Sequence, residues 1–239
     1  MLSISPIIEK GPTNEHILPI FLSLLRDENS DVRLNLFKRI EDLNHVIGIE
    51  NLAQSIIPAL TELSQDKNWR IKLSVVEQFP LLAKQLGEVF FNEKLTPICI
   101  AWLSDPIYSI REAAVNNMKS LTEMFGVAWA DKNIIPKLLI LHTQVNYLHR
   151  LTPIFGIRVL IPVVTPDLIV KKFVPVMTTL STDKIPNIRM NVCKTIKEVS
   201  SKIKGTEAEG KMKGILTTLA SDADNDVKYY AQRALDSFK

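Results

Sequence analysis

The sequence predicts an all-α fold, an α-α superhelix built as a solenoid of six 39-residue helix-pair repeats. Three columns of residues locked to one period predict it. Asp27, Asp66, Asp105, Asp183 and Asp222 stand in register, with Gln144 in the one vacant place. A cation follows each position by six residues: Arg33, Lys72, Arg111, Arg150, Arg189 and Lys228. Pro19, Pro58, Pro97, Pro136, Pro175 and finally Gly214 precede each by eight. A period of this size marks supersecondary units that bury their apolar faces by stacking on one another. Function in such an array belongs on an extended ridge or groove rather than in a single enzymatic pocket.

Each period reads as two helices. In the first, Asn14 is a candidate cap, and Ile17, Leu18, Phe21, Leu24 and Leu25 recur at helical spacing. Asp27, Glu28, Asn29, Ser30 and Asp31 then break the pattern, as short polar side chains that bond to the backbone do. Val32, Leu36, Ile40, Leu43 and Ile47 carry the second helix, and Gly48 fits its end, as Gly87 and Gly126 do later. Helix pairs are expected at 14–26 with 31–47, 52–65 with 69–86, and 90–104 with 108–125. They continue at 128–142 with 147–164, 167–181 with 187–203, and 207–220 with 226–238. The corresponding repeats span 13–50, 51–88, 89–127, 128–165, 166–205 and 206–239.

The proline column falls inside each first helix, where a missing donor and a bulky ring should bend it. Residues 1–12 read as the remnant of a preceding second helix without its partner, the start expected of a fragment. The last second helix, with Lys228, Gln232, Arg233, Asp236 and Lys239, is polar enough to cap the array. No interior linker or domain break is visible.

Composition narrows the function classes. Hydrophobic residues form 46% of the 239, enough for a sizeable core, while eight glycines and 7% aromatics suit helices. A net charge of +3, with Lys171-Lys172 as the longest cationic run, argues against nucleic-acid binding. The greasiest stretch, 151–170, holds Arg158, Asp167 and three prolines, so it reads as buried helix rather than a membrane span. Cys99 and Cys193 are too far apart for a CxxC motif. Two unpaired thiols, with no secretory leader, lead to the expectation of a reducing compartment, the cytoplasm or the nucleus.

Catalytic and metal constellations are weak. His16 and His45 lie far apart, and His142 and His149 share a turn region without Cys or a close carboxylate. The glycines are helix stops rather than a phosphate loop, and no nucleophile is oriented by a base. The expectation is a non-enzyme without cofactors or metals. Trp102 and Trp129 fall on apolar helix patterns and are expected in the core.

The Asp and cation columns have a structural reading. Stacking would bring the Asp of one copy to the cation of a neighbour, and a carboxylate near a helix start also meets free N–H groups. The sharper alternative, a catalytic Asp, has nothing beside it. One further column changes from copy to copy: Ser30, Trp69, Tyr108, Tyr147, Pro186 and Asn225, three residues after the Asp position. Three consecutive turns thus carry a large aromatic, and stacking would align Trp69, Tyr108 and Tyr147. Arg70, Ile107, Asn146, Leu148, Lys184 and Ile185 accompany them as candidate partner-binding residues. Trp, Tyr and Arg are the usual anchors of protein interfaces. The competing reading is that these rings fold back onto their own repeats.

The Pro, Asp, branched-apolar and cation columns resemble the HEAT repeat; the apolar column reads Val32, Ile71, Ile110, Ile188 and Val227. Copy four departs with Gln144 and with His149 in the apolar place. A narrower resemblance rests on 66–72 (DKNWRIK), 88–95 (EVFFNEKL), 101–114 (AWLSDPIYSIREAA), 146–150 (NYLHR) and 226–232 (DVKYYAQ). These stretches are similar to the scaffold (A, 65 kDa regulatory) subunits of protein phosphatase 2A. The resemblance implies the C-terminal portion of a fifteen-repeat scaffold. Its last turns would hold the phosphatase catalytic subunit, and its earlier repeats, in the full-length assembly, a regulatory B subunit. The aromatic column would then fall in the catalytic-subunit-binding turns. Two other classes compete. A HEAT-like DNA alkyl-base glycosylase is disfavoured by the balanced charge. A peptide-binding transport or adaptor solenoid commonly places its aromatic ladders on second-helix faces, not on turns.

Overall fold

The computed structural model describes residues 10–37 and 57–238. Residues 1–9 of the remnant expected over 1–12, the end of the first copy's second helix and its Gly48 lie outside these residues. Among the described residues every regular element is helical. No helix there is long and apolar enough to cross a membrane. Contacts group the chain into two compact units, Met1–Asn117 and Met118–Lys239.

In the first unit, α1 (Leu18–Leu24) leads to α2 (Ser30–Phe37). A helix over 57–63, α3, leads to α4 (Trp69–Phe90), and α5 (Thr96–Trp102) to α6 (Tyr108–Phe125), whose C-terminal end belongs to the second unit. The first helix of the next pair is divided into α7 (Val127–Asn133) and α8 (Ile135–Leu139), and its partner is α9 (Tyr147–Leu160). Then α10 (Val174–Leu180) pairs with α11 (Pro186–Ile203), and α12 (Glu207–Leu219) with α13 (Asn225–Leu235). Where the described residues cover them, these positions match the expected helices to within a few residues.

The proline column acts more sharply than a simple bend. Proline lacks an N–H, and its ring collides with the carbonyl four residues back. The chain answers by widening into one π turn just before the proline. Leu18, Thr96 and Val174 donate their N–H groups five residues back, to the carbonyls of Thr13, Phe91 and Ile169. In the fourth copy the break is at Ile134, whose φ of −120° separates α7 from α8, so that Pro136 sits in a new first turn. The last copy supplies the control: Gly214 replaces proline, and α12 runs unbroken for 13 residues.

Glycine breaks the helical backbone at or near the end of the second helices, and at Gly87 the break falls as a kink inside the span of α4. Gly87, Gly126 and Gly205 have φ of 79°, 91° and 76°, a region that side chains disfavour. Each unit has a dense core. Phe79 lies edge-on to Trp102 and Phe91, with centroids 4.4 and 6.1 Å away. The Trp102 indole N–H reaches the Ser64 carbonyl at 3.3 Å. In the second unit Phe173, Met177, Ile157 and Ile196 are fully buried, and Trp129 packs on Phe125. Both tryptophans expected in the core are there.

Candidate functional site

The turns joining paired helices share one hydrogen-bond plan. The first oxygen of each column Asp accepts the N–H two residues ahead: Asn29 to Asp27 (2.8 Å), Asn68 to Asp66 (2.7 Å), Ile107 to Asp105 (2.9 Å). The second unit repeats this with Ile185 to Asp183 and Asp224 to Asp222, both at 2.9 Å. The carboxylate therefore braces the turn and does not cap the helix, where the spacing had pointed. The cap falls two residues later, on Asn68, Asn146 and Asp224, whose side chains accept from the first free N–H groups of α4, α9 and α13.

From Asp66 onward each column Asp also meets a cation of the preceding repeat through its second oxygen, and in the second unit the arginine reaches the first oxygen as well. In the first unit Arg33 meets Asp66 at 3.2 Å and Lys72 meets Asp105 at 2.9 Å. In the second, Arg150 forks onto Asp183 at 2.7 and 3.0 Å, and Arg189 onto Asp222 at 2.7 Å twice. Arginine has a further donor to spend. Arg111, Arg150 and Arg189 each donate Nη1 to the carbonyl six residues back, at 2.7, 3.0 and 2.7 Å, and Arg33 does so to Asp27. Arg33, Arg150 and Arg189 thus each tie their own turn to the next.

Electrostatics follow from this sharing. The Arg189 hydrogen bond outweighs burial and, helped by the Asp224 N–H, holds the Asp222 carboxyl below its ordinary range. Burial opposes the charge on Asp183, but Arg150, the Ile185 N–H and the field of Arg189 overcome it and lower that carboxyl too. Asp183 and Asp222 are thus satisfied ion pairs. In copy four the backbone carbonyl of Gln144 still receives Arg150, so the turn survives the loss of the carboxylate.

The turn tips are varied and open. In the first unit Trp69 is half-buried with the Arg70 guanidinium 4.8 Å over its ring. Tyr108 is 51% exposed, its hydroxyl bonded to Glu112 at 3.1 Å and its ring beside Arg111; Ile107 is half-buried. In the second unit Tyr147 is 42% exposed; Asn146 and Lys184 are exposed, and Leu148 and Ile185 are half-buried. Two of the rings therefore face outward, while Trp69 partly folds back. Asn146 has a structural task beside any contact it makes, since its side chain accepts from the Leu148 N–H at 3.0 Å.

Sequence reasoning passed over Val145, which at 97% is the most open of the large exposed hydrophobic side chains. Its signal was the position after the Asp column, where a large apolar residue stands beside Glu28, Lys67, Pro106, Lys184 and Ala223. Among the described residues no group of three or more His, Cys, Asp or Glu could hold a metal ion. His142 instead places Nδ1 2.7 Å from the Leu139 carbonyl. Cys99 and Cys193 are free, and burial pushes both thiols up to about 12.

Known proteins resemble this chain in sequence and in fold. The regulatory A subunit of protein phosphatase PP2A from budding yeast (Saccharomyces cerevisiae) is 41% identical over 125 residues, 49% of this chain and 20% of that protein. Its fission yeast (Schizosaccharomyces pombe) namesake is 44% identical over 65 residues, 27% of this chain and 11% of that protein. The matched segments thus span at most about a fifth of the length of these relatives. In fold, a crystal structure of importin beta superposes over 94% of this chain and 30% of its own, with a TM-score of 0.65 at 13% identity. The profile of the PIK3R4-like, middle domain family matches residues 8–149. The chain therefore belongs to the PIK3R4-like middle-domain family, is built of HEAT-type helical repeats, and has regulatory A subunits of protein phosphatase 2A among its relatives.

Proposed function

We propose that this chain is a non-catalytic scaffold whose intra-repeat turns hold the catalytic subunit of a serine/threonine phosphatase of the 2A type. The observation that carries the reading is the exposure of large aromatic and aliphatic side chains at turns whose backbone is otherwise fully braced. Tyr108, Tyr147 and Val145 stay in water although the turns that carry them are already tied by hydrogen bonds. An exposed ring on a rigid turn loses little freedom on binding and gains its full burial, which is how interface anchors work. The relatives' designation as regulatory subunits of this phosphatase supports the choice of partner.

In this reading Trp69, Arg70, Ile107 and Tyr108 serve in the first unit, and Asn146, Tyr147, Leu148, Lys184 and Ile185 in the second. Metals and phosphoester chemistry belong to the partner. A regulatory B subunit joins through other repeats of the full assembly. Buried free thiols support a reducing compartment, the cytoplasm or the nucleus. The test is calorimetric titration with a phosphatase 2A catalytic subunit. Trp69→Ala with Tyr108→Ala, and separately Tyr147→Ala, should each weaken binding by about 2 kcal/mol or more, the loss expected of anchor residues. Unchanged affinity with unchanged helicity would remove these turns from the interface.

A further inference from the structure

The second unit carries another surface, made by helix bodies rather than turns. Helices α9, α11 and α13 frame a groove of about 230 Å³ lined by Arg158, Lys194, Lys197, Glu198, Tyr230 and Arg233. Scattered in the sequence, its cations follow the repeat: Lys197 stands 39 residues after Arg158, and Arg233 stands 39 after Lys194. A search for basic runs misses them for that reason. Glu198 is the one carboxylate in the lining, and it is bonded to Arg158 at 2.7 and 2.9 Å. The Lys194 ammonium sits 4.1 Å above the Tyr230 ring. Arg233 lies 5.6 Å from the Tyr229 centroid and donates to that hydroxyl at 3.2 Å. An aromatic face orients a cation without neutralising it. The groove therefore keeps a cationic surplus, with Lys194 and Arg233 already positioned by their rings.

We propose that this groove binds an acidic peptide segment of a partner protein. Three features favour side-chain carboxylates. The Arg158–Glu198 contact shows that a guanidinium in this groove is set to receive a carboxylate. The cations are dispersed over three successive second helices, a spacing suited to charges carried along an extended chain. Tyr230 offers an apolar wall for the methylenes of glutamate. A nucleic acid would ask for denser phosphate contacts than these few cations and a net charge of +3 provide. The proposal does not rest on the phosphatase reading, whose residues lie on the turns.

The test is fluorescence anisotropy with a labelled oligo-glutamate peptide at low salt, with an oligo-glutamine peptide of equal length and an oligothymidylate of equal charge as comparisons. The glutamate peptide should bind and the glutamine peptide should not. Lys197→Gln with Arg233→Gln, both exposed and so harmless to the fold, should weaken binding about tenfold. Lys171→Gln with Lys172→Gln removes the same charge from the same unit outside the groove and should leave affinity unchanged. The proposal is overturned if the glutamate peptide fails to bind, if both pairs of substitutions cost the same, or if oligothymidylate binds more tightly than the glutamate peptide.

Discussion

Asp222 shows how much one side chain can carry. It accepts two bonds from Arg189 and one from the Asp224 N–H, and its side chain is only 9% exposed. Asp222→Asn keeps the shape and removes the charge, leaving a part-buried guanidinium without its counterion. The expected cost is about 2 kcal/mol, read as a lower urea midpoint. The pH dependence has a definite sign. Asp222 and Asp183 have folded-state pKa values below their unfolded ones. Their contribution is thus complete above the ordinary carboxylate range, about 4, and is lost as pH falls through the folded values. Urea midpoints followed from neutral pH downward should drop across that window, and Asp222→Asn should flatten part of the drop. Gly156 makes a different point. A Cβ there would run into the Leu138 side chain, lying 2.9 Å from its Cδ1, and Leu138 is fully buried, so its isobutyl end would have to shift within a packed core. Gly156→Ala should therefore cost about 1–3 kcal/mol in a melting experiment, despite alanine's better helix propensity.

At the scale of the element, the first helices separate two jobs that the sequence blended. Apolar spacing makes them helices, and the proline column decides where each is broken. The expected spans were legible because 3.6-residue periodicity and polar turns are local signals. The π turns were not, because the widened hydrogen bond is a response of the three-dimensional backbone to a ring clash. In α12, Gly214 leaves open space around its Cα, with nothing within 4 Å of an added Cβ. Gly214→Ala should stabilise the protein by about 0.5–1 kcal/mol, measurable as a raised melting temperature. No such gain is available at Gly87 or Gly126, whose φ of 79° and 91° would strain alanine. The ladder was legible as columns of charge, and each unit shows it. The sharing of each carboxylate between a turn N–H and a neighbour's cation was hidden, as was the cap's place on Asn68 and Asn146, since spacing alone does not assign acceptors. Val145 and the basic groove escaped for a further reason: exposure and cross-helix proximity are properties of packing.

At the scale of the whole molecule, both units obey the same arithmetic. A cation reaches back six residues to a carbonyl and forward thirty-three to a carboxylate, as Arg33 does toward Asp66 and Arg189 toward Asp222. Each repeat is thereby specified by its neighbours rather than by its rank in the series. Excision of residues 151–189 would set Asp222 thirty-three places after Arg150, the separation that Asp183 holds now. Such a shortened chain should still melt as a helical protein by circular dichroism, whereas a deletion of another length there would break the register of the pair that spans it. A chain written to this pattern can therefore gain or lose whole periods and still hand each spanning arginine a carboxylate at the right distance.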